Sequence, residues 1–249
     1  MRLATSMGIS DGVQAGGVAP FVNTKSLDFD GVDDYVDCSS FTPLDSGTAL
    51  TISAWFKSST YVSAGVLISV DKHVDIYQGS AAASNTKGRF TYRLKGAYGN
   101  SFKTLGGTSA SGVGDLCDGD WHHICFVWDD STTTAIVYED GVAVITDNST
   151  TGTLNSATED LYIGDGVFGG ASVIQGNIDE VAIWDSALSP ADVASVYNSG
   201  VPTDLTSLSP ASWYRMGDLV TSFPTIPDYG SNPGTATNML VGDIVEDTP

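Results

Sequence analysis

The chain has 249 residues, 41% of them hydrophobic, enough to bury a sizeable core as one elaborated domain or two small ones. Ten Lys and Arg stand against 30 Asp and Glu, a formal net charge of -20. A field of that sign repels nucleic acid and anionic membrane surfaces, so neither is an expected partner, while bound divalent cations are tolerated.

The opening stretch, residues 1–25, is small, polar and Gly-rich and reads as an N-terminal arm. It has no apolar run of signal-peptide or membrane-span length, so the expectation is a soluble protein without membrane insertion. Ser26–Ser40 reads as strand, Asp-Gly turn, strand. Leu50–Lys57 alternates: Leu50, Ile52, Ala54 and Phe56 share one face, and Thr51, Ser53, Trp55 and Lys57 share the other. Gly65–Val70 is apolar throughout. Arg89–Lys95 alternates again, with Phe90, Tyr92 and Leu94 inward. Residues 99–115, rich in Gly, Ser and Thr, are expected to form a long loop.

The run DGDWHHICFVWDD gives a strand apolar on both faces, hence central. His122 and His123 are adjacent on it, point to opposite faces and cannot both meet one metal. Cys38, Cys117 and Cys125 lack any zinc spacing, and at least one of them is unpaired. Asp140-Gly141 between two β-prone runs is a hairpin signal. Leu161–Gly164 and Val173–Trp184 supply further strands.

One helix is predicted, with Ser189 as N-cap, Pro190 at its first position, Asp192 three residues after the cap and Gly200 as its stop. Its apolar stripe would be Ala191, Val193, Ala194, Val196 and Tyr197. So short a helix is marginal alone and must dock on something larger. Residues 201–249 hold too little apolar content for an independent core and read as a C-terminal return segment packing on the body or on a neighbour. Many short strands separated by turns argue for an all-β sandwich or jelly roll.

The motifs FDGVDDYV, LTISAWFK, DGDWHHICFVWD, VYEDGV, LYIG and GNIDEVAIWDSALS stand in an order that resembles the laminin-G-like branch of the concanavalin-A-like lectin/glucanase superfamily, over roughly residues 26–200. The closing SWYRMGD and DYGSNPGTATNM resemble the segment that usually opens such modules, here placed last as in a circular permutation. That arrangement is similar to structural proteins of marine tailed phages. The resemblance implies an all-β, two-sheet antiparallel jelly-roll sandwich over residues 26–200, and a structural Ca2+ held by Asp179, in the strand before the helix, with Asp30 from the N-terminal strand region. Calcium takes six to eight oxygens, which two carboxylates plus carbonyls and waters would supply. The alternative is that Asp179 accepts backbone N–H bonds and Asp30 only shapes its turn.

Glycanases on this fold use two glutamates in an E-x-D-x(x)-E run, which this chain lacks; Asp28-x-Asp30-x-x-Asp33 imitates the spacing with aspartates and a glycine inside it. No enzyme is expected, and a glycan hydrolase is the distant third reading. Arg89, Arg93 and Lys95 occupy alternate positions and would share a face, either paired with carboxylates of neighbouring strands or docking an acidic partner. Trp55, on the face with Lys57, is the best exposed candidate for stacking on a sugar ring. These residues favour a non-catalytic lectin-like protein. Its place would be on a virion exterior, as capsid decoration or fibre, with other virion proteins or copies of itself as partners. The alternative is a Ca2+-dependent lectin module recognising host glycans.

Overall fold

The computed structural model describes residues 21–71, 73–79, 90–96, 99–106, 116–154, 159–166 and 172–249. The chain runs through β1 (Ser26–Asp30), β2 (Tyr35–Phe41), β3 (Ala49–Lys57), β4 (Gly65–Val70), β5 (Val74–Gln78), β6 (Phe90–Gly96) and β7 (Gly99–Gly106). It continues with β8 (Trp121–Asp129), β9 (Thr134–Glu139), β10 (Val142–Asp147), β11 (Glu159–Ile163), β12 (Ser172–Val173) and β13 (Gln175–Trp184). After the helix α1 (Pro190–Tyr197) come β14 (Ser212–Tyr214), β15 (Thr225–Ile226), β16 (Gly234–Thr237) and β17 (Ile244–Val245).

Two sheets result. One has the order β10-β9-β8-β3-β13-β1-β17, with β14 also on β13; the other is β15-β16-β2-β11-β4-β5-β6-β7, with β12 on β4. The pairings are antiparallel apart from the short parallel β12–β4 contact. Their facing sides form one apolar cluster: Leu27, Ile52, Phe56, Phe126 and Trp128 from the first meet Val36, Ile68, Ile76, Tyr92 and Leu161 from the second. This is the jelly-roll sandwich that the resemblance implied.

Strand β3 is buried on both faces. Leu50, Ile52, Ala54 and Phe56 enter the core as expected. The second face is covered by α1 and the turn before it, where Thr51 Oγ1 donates to the Ser186 carbonyl at 2.8 Å and accepts the Leu188 N–H at 2.9 Å. The helix starts on a capping box, the Ser189 hydroxyl accepting the Asp192 N–H at 3.2 Å and the Asp192 carboxylate accepting the Ser189 N–H at 3.2 Å. It ends two residues before the expected stop, because Asn198 takes the left-handed position (φ 43°). Of the predicted stripe, Val193 and Val196 are buried, whereas Ala191 and Ala194 are exposed.

Two further departures are instructive. The expected loop from residue 99 begins instead as β7, which pairs with β6 from Gly96↔Gly99 to Thr91↔Gly106. An available strand edge overrides weak local propensity there. The closing segment contributes strands to both sheets: β14 on β13, β16 on β2 and β17 on β1.

Candidate functional site

Strand β13 carries a register shift against β3 between Asp179 and Ala182, and Glu180 sits in it at φ 47°. The bulge breaks the alternation of faces, so two consecutive carboxylates are both buried. Burial, reinforced by the neighbouring Glu180 charge, pushes the Asp179 carboxyl well above the usual carboxylate range. Burial raises Glu180 too, and the nearby Arg215 offsets only part of the rise.

Glu180 anchors what lies above it. Its Oε2 accepts the indole N–H of Trp213 at 2.6 Å, and its Oε1 accepts from Arg215 Nε at 3.1 Å. Arg215 also donates to Asp218 Oδ2 at 3.1 Å and to the Val22 carbonyl. Its guanidinium lies 4.3 Å from the Phe21 ring centroid and 5.6 Å from that of Trp213. Thr24 donates through its hydroxyl to Asp218 Oδ1 at 2.6 Å, completing the attachment of residues 21–24 to the body.

Over this network opens a cleft of about 370 Å3, within the range of small-molecule sites. Trp213 braces it from below, buried, with Phe21 stacked at 6.0 Å. Tyr229 leans on Trp213 at 5.4 Å and keeps 57% of its surface exposed. Asp204 and Thr206, both exposed, stand on the lining with Leu219. The Thr206 N–H, donated to Asp204 Oδ1 at 2.9 Å, holds the Asp204 carboxyl below its ordinary range. An exposed aromatic face beside a fixed carboxylate and a hydroxyl can take a ring with one apolar face and a hydroxylated rim.

The residues singled out in the sequence fall elsewhere. Trp55 is not an exposed platform. It is 3% exposed, 5.9 Å from the Tyr197 ring and 5.1 Å from His123, because α1 covers the face that β3 appeared to leave open. Lys57 binds Asp247 at 2.8 Å, and Trp121 donates to the same carboxylate at 3.0 Å, so Lys57 fastens the closing segment. It also borders a second cleft of about 230 Å3, lined by Asp28, Ser58, Gln175 and Asn177. Arg93 faces its cross-strand partner Asp75 at 3.7 Å and donates to the Tyr77 hydroxyl at 2.9 Å. Arg89 and the side chain of Lys95 lie outside the described residues.

Asp30 and Asp179 are not brought together. Asp30 pairs with Gln175, four residues along β13 from Asp179, a separation of roughly 13 Å at strand rise. Asp30 Oδ1 instead accepts the Val32 N–H at 2.7 Å, shaping the turn. Asp30, Asp33 and Asp34 gather their carboxylates within 4.8 Å of one another, and Asp34 is tied to the Asp30 N–H at 3.0 Å. The neighbour of Asp179 is Asn23, whose Nδ2 donates to Asp179 Oδ2 at 2.8 Å while its Oδ1 is buried without a hydrogen-bond partner. An orphaned oxygen beside a buried carboxylate suits a hard cation. Asp179 Oδ1 accepts the backbone N–H of Glu180 at 2.8 Å, the bond that the alternative reading of this residue expected.

The family profile of the concanavalin A-like lectin/glucanases superfamily matches residues 30–194, well over half of the chain. The chain belongs to that superfamily. No curated protein matches it in sequence. Among solved structures, a candidate carbohydrate binding protein from Bacteroides ovatus superposes with a TM-score of 0.66 at 18% identity, covering 88% of this chain and 59% of that one. The present chain thus spans about three fifths of that relative's length. The CBM40 of the Ruminococcus gnavus IT-sialidase gives 0.54 at 16% identity, over 71% of this chain and 98% of its own. A SAP-like pentraxin from Limulus polyphemus gives 0.53 at 20% identity, over 74% and 88%. At such identities the likeness is one of fold.

Set against the superfamily match, the aromatic cleft has a particular position. Phe21, Val22 and Thr24 precede the matched residues, and Asp204, Thr206, Trp213, Arg215, Asp218, Leu219 and Tyr229 follow them. The sequence offered one signal for it: in SWYRMGD, Trp213 and Arg215 stand two apart, on one face of a strand.

Proposed function

We propose that this chain is a non-catalytic, lectin-like jelly roll that binds carbohydrate. The observation that carries this reading is the match to a sialidase's CBM40 over 98% of that module's length, on the superfamily sandwich. The nearest imitation of a hydrolytic carboxylate run supports it as well. In Asp28-x-Asp30-x-x-Asp33, Oδ1 of the middle acid accepts the Val32 N–H of its own turn. A glycan array, read beside a reducing-end assay on the glycans bound, tests the reading. Binding without new reducing ends supports it; turnover refutes its non-catalytic half, and no binding across the array refutes it altogether.

Calcium belongs to the same proposal as a structural ion on Asp179 and Asn23. Its supports are the burial of Asp179 and the buried oxygen of Asn23 that lacks a hydrogen-bond partner.

The likeness of SWYRMGD and DYGSNPGTATNM to tailed-phage structural proteins favours a second reading, in which this body is displayed on a virion exterior in company with itself or other virion proteins. None of the three structures named above is a virion protein. Mass spectrometry of purified particles decides it: a stoichiometric band supports display, and absence from particles rejects it.

A further inference from the structure

We infer that the aromatic cleft built on Trp213 is a saccharide subsite selective for uncharged sugar units, with Tyr229 as its stacking platform and Asp204 and Thr206 as its hydroxyl-binding edge. The inference rests on the carbohydrate-binding reading and adds the place and the ligand class.

Three observations converge on it. The first is exposure. Tyr229 is 57% exposed yet braced by the buried Trp213, a large aromatic face held in one place. A braced ring loses little freedom when a sugar's C–H face settles on it. On the same lining, one oxygen of Asp204 is fixed by the Thr206 N–H, which holds the carboxylate in place at the cleft.

The second is charge. Among the described residues one cation lines the cleft, Arg215, and its guanidinium already serves Glu180 and Asp218. The lining carboxylates Asp204 and Asp218 exceed it, on a chain of formal charge -20. A sialic or uronic acid would bring its carboxylate toward this excess of like charge, which disfavours binding. The Ruminococcus CBM40, solved in complex with alpha2,3 sialyllactose, accepts the class that this cleft excludes.

The third is origin. All ten lining residues lie on residues 21–24 and 204–229, outside the stretch 30–194 that the superfamily profile matches.

The test uses the full-length protein with immobilised neutral oligosaccharides ending in mannose, galactose, glucose or N-acetylglucosamine, and with their sialylated or glucuronate-capped counterparts. At least one neutral series is expected to bind more tightly than its acidic counterpart. Tyr229→Ala should weaken that binding about tenfold, the scale of one lost aromatic contact. Asp204→Asn should weaken it less and narrow the preference against acidic caps. Because Tyr229 and Asp204 are exposed, both variants should melt with the wild type. Neutral binding left unchanged by Tyr229→Ala overturns the cleft assignment and leaves carbohydrate binding standing. A preference for the acidic series overturns the charge selection alone. Failure to bind any probe removes the broader reading and this inference with it.

Discussion

Nδ1 of His122 lies 2.8 Å from Oδ2 of Asp140, the carboxylate whose other oxygen accepts the N–H of His123 at 2.8 Å. One turn acid therefore serves two adjacent histidines in opposite environments. His122, between Asp140 and Asp118, is raised from 6.5 to about 9, the Asp140 hydrogen bond being the largest cause. His123, buried beneath α1 against Ser53 and Trp55, is lowered from 6.5 to about 4 by desolvation. NMR titration should show the two rings protonating some five pH units apart by these values; overlapping titrations near 6.5 would contradict the burial of His123.

The same pair fixes the pH dependence of stability. The raised His122 contributes fully below pH 6.5, and its contribution is lost as pH rises through about 9. The depressed His123 acts in the acid limb: below 6.5 the unfolded chain takes up its proton first, and stability falls until about pH 4, by about 3 kcal/mol in all. Asp140→Asn should return the His122 titration toward 6.5 and flatten the alkaline limb. Denaturant melts from pH 4 to 9 measure both.

Trp55→Ala should cost about 3–5 kcal/mol, as large core aromatics do, because the ring is packed between His123 and Tyr197. Glycan binding per folded molecule should not change. A nearly neutral substitution that abolished binding would restore Trp55 as a platform and refute its burial.

Calcium on Asp179 and Asn23 predicts a higher melting midpoint with the ion than with chelator, by linkage to the folded state. Asp179→Asn should remove that difference. Equal midpoints with and without EDTA in the wild type would reject the ion.

A fragment of residues 26–200 contains the whole superfamily match yet should be insoluble or self-associated in size-exclusion chromatography. It lacks β14, β16 and β17, and so uncovers the hydrogen-bonding edges of β13, β2 and β1. A monomeric, cooperatively melting fragment would show that the closing segment is dispensable.

Local pattern made much of the fold legible. Alternation in Leu50–Lys57 placed Leu50, Ile52, Ala54 and Phe56 in the core, and the Ser189, Pro190, Asp192 signature located the helix start. Alternation says which side chains share a face, though not what later covers that face, so Trp55 was misjudged: its lid, Tyr197, is contributed by a helix far along the chain. The site was legible only in part, for a related reason. Asp179 stood out as a carboxylate in a β-prone run, but its partner Asn23 is 156 residues away, and no local spacing encodes that contact. Nor does composition reveal that Phe21 and Tyr229, from stretches that read as arm and return segment, converge on Trp213.

The Asp140-Gly141 hairpin carries one more consequence. Gly141 adopts φ 74°, and a methyl group on its Cα would come within 2.6 Å of the Tyr197 ring. The tip of the β9–β10 hairpin and the end of α1 are thus fitted together with no slack for a single added carbon. A bulkier residue at that hairpin tip would have to displace the Tyr197 ring, which lies 5.9 Å from the indole of Trp55.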